Sequence, residues 1–195
     1  MSDEKSHPLV TRHSSLATGA KRILVAGIGN IFFGDDAFGC EVAHQLARRP
    51  QPDGVRVTDF GIRSYDLAYA IMDGYDAVIL VDATPQGAAP GTLCLIEPDL
   101  KKLDELPQEA VSAHSMNPVR VLQLVRSLGG NAGWLRVVGC EPAMLEGEGG
   151  AMGLSEKVQA AVEPAIEMIE GLICDLLREP ETSPQTFPQP ETISE

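Results

Sequence analysis

The stretch RILVAGIGNIFFGDD, residues 22–36, passes from an apolar run into glycines and closes on two adjacent carboxylates. A short apolar run bounded by glycine reads as a strand buried on both faces, the kind that parallel sheets contain. From Asp35 to Arg49 the apolar positions Phe38, Val42, Ala43 and Leu46 recur at helical spacing, so a helix follows the strand directly. Gly27 and Gly29 are expected to turn the chain tightly and Asn30 to pin that turn through its side chain. Asp35 is expected to cap the helix, leaving Asp36 to face the strand end.

Outward from this unit the alternation repeats. VRVTDF (55–60) alternates as a strand, SYDLAYAIMDGY (64–75) reads as a helix, and AVILVD (77–82) is another continuous apolar run. Such βαβαβ order indicates parallel strands with helices on both faces. After Asp82 only ATPQGAAPG precedes TLCLIEP, too little chain for a parallel crossover, so the fourth strand must run antiparallel. A loop through DELPQEAVSAHS leads to a helix over about 117–128, LRVVGCEP (135–142) makes a fifth strand, and a long helix spans Ser155 to Leu177. That last helix presents Val158, Val162, Ile166, Ile169 and Ile173 on one face and is expected to kink at Pro164. The expected fold is α/β: three layers, α/β/α, around a mixed, mostly parallel five-stranded sheet.

Residues 1–20 read as a flexible extension, and residues 179–195, rich in Pro, Glu, Ser and Thr, as a disordered tail that cannot bury enough surface to offset its ordering entropy. One domain over 21–178 remains. A net charge of -13 without a basic run argues against nucleic acid, and 5% aromatic content offers no stacking surface for bases. No apolar stretch reaches the roughly 20 residues that span a bilayer, and residues 1–20 lack the apolar core of a signal peptide. Cys40, Cys94, Cys140 and Cys174 are scattered without a CxxC, which suits reduced thiols in a cytoplasmic protein.

Ligands of open α/β sheets sit at the carboxyl ends of the parallel strands. Here those ends carry Asp35 and Asp36 after strand one, Asp59 after strand two and Asp82 after strand three, with His114 in a loop expected nearby. Carboxylates and an imidazole suit an open divalent-metal site. Plainer roles exist: helix-terminal charge for Asp36, a turn cap for Asp59, a loop histidine for His114. Asp82 is the hardest to read so, because a carboxylate ending the most apolar strand is desolvated without an evident partner. His7 and His13 lie in the extension and His44 on the surface of the first helix. The glycines do not complete a dinucleotide fingerprint, since Phe32 stands where the third glycine of GxGxxG belongs.

In this order and spacing, GIGNIFFGDDAFG, VILVDAT, APGTL and AHSMNP resemble the maturation endopeptidases of nickel-iron hydrogenases, over about residues 21–178. The resemblance implies a mixed five-stranded sheet with strand four antiparallel, and removal of a C-terminal peptide from a hydrogenase large-subunit precursor. It carries the family's metal-binding residues onto Asp36, Asp82 and His114, and a further functional carboxylate onto Asp59. Asp36 stands where the family often has Glu, and Phe60 where a glycine often follows the second-strand Asp. The resemblance further implies that nickel arrives in the precursor and that no metal is held tightly by the protease, which is expected to be a monomer. With no Ser or Cys nucleophile in evidence, the amide would be cut by an activated water. The alternatives are an independent metallopeptidase acting on short peptides and a nonenzymatic metal- or nucleotide-binding module.

Overall fold

Ile23–Ile28 forms β1, and all six of its residues are buried. The computed structural model describes residues 21–99, 118–145 and 152–178. After a helical turn over Gly34–Ala37, α1 spans Phe38–Leu46, followed by β2 over Val55–Gly61, α2 over Ser64–Met72 and β3 over Ala77–Ala83. The second half holds β4 (Leu93–Ile96), α3 (Pro118–Ser127), β5 (Trp134–Cys140) and α4 (Glu156–Arg178). The extension before residue 21 and the tail after residue 178 lie outside the described residues.

The strands pair in the order β2-β1-β3-β5-β4. All neighbours are parallel except β4, which runs antiparallel to β5 with Leu93 opposite Cys140. The short connection after β3 therefore has the consequence expected of it, and it reaches β4 by crossing the end of β5. There Glu141 donates its N–H to Thr92 O at 2.9 Å and accepts at its own carbonyl from Gly91 N at 2.8 Å.

Alternation along the strands divides the apolar residues between two faces. Ile23, Val25, Ile79 and Val81 pack against Phe38, Val42 and Leu46 of α1 and Val162, Ile166 and Ile169 of α4. Leu24, Ala26, Val78 and Leu80 pack against Leu67 and Ile71 of α2 and Val121 and Val125 of α3. The result is the three-layer α/β/α arrangement, each buried Leu or Ile contributing roughly 1.5–3 kcal/mol. Pro164 lies on the exposed side of α4, where water can reach the carbonyl that its ring leaves unpaired, and the helix continues through it.

One expectation is corrected. Gly27 makes no turn: it lies inside β1, and a Cβ there would stand 2.2 Å from Gly39 O and 2.6 Å from Ala43 Cβ. Gly39 faces the same constraint from the other side, with Val81 O at 2.1 Å and Ile28 O at 2.3 Å from the position of its missing Cβ. The pair lets α1 lie directly on β1 and β3, and so fixes the height at which the residues before α1 meet the strand ends.

Candidate functional site

From β1 the chain departs to β2 on one side and, later, to β3 on the other, which makes the β1/β3 boundary the switch point of the sheet. Both flanks of that boundary carry carboxylates.

Gly29 does turn the chain: it adopts φ 136°, and a Cβ on it would fall 1.7 Å from Asp36 O. Asn30 Oδ1 accepts from Phe32 N at 3.0 Å, the expected side-chain pin. Asn30 N donates to Asp36 Oδ2 at 2.7 Å, holding that carboxylate beside the end of β1. Burial raises the Asp36 carboxyl above its ordinary value, and the Asn30 bond opposes this only in part.

Asp35 plays a different role from the one expected. It makes no side-chain cap to its own helix. It is 1% exposed, and its oxygens accept from Ala143 N (2.8 Å), Met144 N (3.1 Å), Ser155 N (2.6 Å) and Ser155 Oγ (3.0 Å). Asp35 thus ties the start of α1 to the segment after β5 and to the residue preceding α4, and leaves Asp36 as the carboxylate turned toward the strand ends.

Asp82, the penultimate residue of β3, is buried, and its Oδ1 has no hydrogen-bond partner among the described residues. Burial first, and the charge of Asp36 second, push its carboxyl well above the usual range. An unpaired buried polar oxygen costs about 1–3 kcal/mol.

At the end of β2, Asp59 Oδ1 accepts from Gly61 N at 2.8 Å, which is the turn-capping role weighed for it. Its other oxygen, Oδ2, is 3.0 Å from His44 Nε2. His44 does follow the helix surface, as its position implies, but that surface abuts β2. The loops after β1 and β2 are joined by Gly29 N to Gly61 O at 3.2 Å, so Asp36 and Asp59 sit on stitched segments. His114 lies outside the described residues. Among the described residues, no group of three His, Cys, Asp or Glu side chains is placed to hold a metal ion.

Two further residues belong to this end of the sheet. Cys40 is buried, with its thiol 3.4 Å from Gly29 O. Burial raises its pKa, and the charges of Asp59, Asp36 and Asp82 raise it further, which keeps the thiol protonated. Glu141, just past β5, accepts from Gln86 N at 2.6 Å and Gly87 N at 3.3 Å, and the backbone bonds it collects lower its carboxyl. Glu141 was legible by the rule that found the others, as the carboxylate closing LRVVGCEP. It orders the loop that follows β3.

The sequence pattern of the family described as hydrogenase maturation protease matches residues 40–172. The hydrogenase 2 maturation protease of Escherichia coli is 33% identical over 150 residues, covering 76% of this chain and 88% of its own. Among solved structures, the hydrogenase maturating endopeptidase HybD from E. coli superposes with a TM-score of 0.66 at 30% identity, over 80% of this chain and 93% of that one. A [NiFe] hydrogenase maturation protease HycI from Thermococcus kodakarensis does so with a TM-score of 0.57 at 28% identity, over 83% and 96%.

Proposed function

The chain belongs to the hydrogenase maturation protease family, and from that premise we propose that it removes the C-terminal extension of a nickel-iron hydrogenase large-subunit precursor once nickel has been inserted. The observation that supports this most is Asp82: a buried carboxylate whose Oδ1 has no hydrogen-bond partner among the described residues, near the Asp36 carboxylate, has a lone pair available to a cation. Nickel held in the precursor is a cation that arrives with the substrate. In this reading Asp36, Asp82 and His114 complete its coordination, and the protease keeps no metal tightly of its own.

The chemistry is hydrolysis of an amide by water. Cys40 does not serve as nucleophile, because burial and three neighbouring carboxylates disfavour its thiolate. Nickel supplies Lewis acidity toward the scissile carbonyl or the water. Asp59, or the Asp36 oxygen not engaged by Asn30, orients the water; each is a carboxylate with acceptor capacity to spare. No described helix is long and apolar enough to cross a membrane. All four cysteines are free thiols, which supports a cytoplasmic setting for the reaction.

The test is the mass of the precursor after incubation with the protease, with and without nickel. Wild type is expected to remove a C-terminal peptide only from nickel-loaded precursor, and His114→Ala and Asp82→Asn to leave it intact. An unchanged mass with wild type and loaded precursor overturns the proposal. Cleavage of unrelated short peptides, with metal bound to the isolated protein, identifies an independent metallopeptidase instead.

A further inference from the structure

Asp59 is held at three of its oxygens. Its backbone carbonyl accepts from Arg63 Nη2, Oδ1 from Gly61 N, and Oδ2 lies 3.0 Å from His44 Nε2. The first two contacts come from its own turn, and Gly61 can supply one of them because its φ of 54° bends the chain back. The third comes from another element. His44 projects from α1, one helical turn beyond Cys40, whose thiol lies within the field of Asp59. Because α1 rests on β1 through Gly27 and Gly39, the imidazole is delivered by a rigid body rather than by a loop.

We propose that His44 is a positioning residue for Asp59, its imidazole, in contact with Oδ2, limiting the rotation of the Asp59 carboxylate at the carboxyl end of β2 so that the carboxylate can orient the attacking water. This rests on the assignment of Asp59 as the group that orients the water. The side chains are 52% and 25% exposed respectively, so the contact lies at the water-accessible mouth and adds little to folding. What it adds is direction. A carboxylate contacted by Gly61 N and the Cys40 thiol keeps more rotational freedom about Oδ1 than one that His44 also contacts at Oδ2.

Steady-state cleavage of nickel-loaded precursor by the full-length protein tests this. His44→Ala is expected to lower kcat about 10-fold with KM changed by less than about 2-fold. His44→Gln, whose side-chain amide can donate to the same oxygen, is expected to recover most of the loss, and both variants to keep the wild-type melting temperature. Asp59→Asn should be impaired by itself, and adding His44→Ala to it should cost nothing more. The inference is overturned if His44→Ala keeps wild-type kcat while Asp59→Asn is impaired. It is equally overturned if His44→Gln is no better than His44→Ala, or if the losses multiply in the double variant. Full activity of Asp59→Asn removes Asp59 from the reaction and this inference with it, whereas inactive wild type on loaded precursor defeats the functional reading itself.

Discussion

Asp36 and Asp82 flank the boundary between β1 and β3, and the charge of Asp36 adds to burial in raising the Asp82 carboxyl far above its ordinary value. In their charged form the two carboxylates are therefore a cost to the folded protein.

Asp82→Asn is expected to abolish cleavage and to stabilise the protein. The folded-state carboxyls of Asp36 and Asp82 lie above 3.8, so their stabilising contribution is present below that pH and is lost as pH rises through the folded values. At neutral pH the variant should melt higher by about 2–10 °C, from roughly 1–3 kcal/mol of charge desolvation that Asn does not incur. The gap should close as pH falls toward and below 3.8, where wild type is neutral as well. Thermal unfolding of both proteins across that range measures it.

Asp35→Ala should act in the opposite sense. It strips the acceptor from the N–H groups of Ala143, Met144 and Ser155 and from the Ser155 hydroxyl in a buried setting, a loss of about 3 kcal/mol or more. Urea titration should show the midpoint fall, and hydrogen exchange should show the start of α4 losing protection.

Gly27→Ala and Gly39→Ala each place a methyl within 2.2 Å of a backbone oxygen, so α1 has to move away from the sheet. Destabilisation of about 2 kcal/mol or more is expected, together with loss of cleavage in any fraction that remains folded, because α1 carries the Asp36 turn and His44 with it. Melting temperature and activity, measured on the same soluble material, check both.

Cleavage should survive thiol alkylation. Cys174 is exposed, whereas Cys40 is buried and held as the thiol by burial and by Asp59, Asp36 and Asp82. Iodoacetamide on the native protein is expected to label Cys174 first and to reach Cys40 only on unfolding, with activity unchanged after the first modification. Peptide mapping against residual activity decides it.

What the sequence alone determined follows from local pattern. Run length and period distinguish Ile23–Ile28 and Ala77–Ala83 as buried strands from the helical faces of α1 and α4, and nine residues between Asp82 and TLCLIEP leave β4 no choice but to run antiparallel. The carboxyl-end rule likewise located Asp36, Asp59 and Asp82 without coordinates. What only the tertiary structure decided lies between residues distant in the chain. Asp35 and Asp36 are chemically alike and adjacent, and which of them turns inward depends on Ser155, 120 positions away. His44 reads as a surface histidine until the packing of α1 on β1, through Gly27 and Gly39, brings it to Asp59. Periodicity reports which face of an element is buried, but which side chains meet across two elements is set by their relative height and tilt. Those are fixed by the packing of backbones and not by any local stretch.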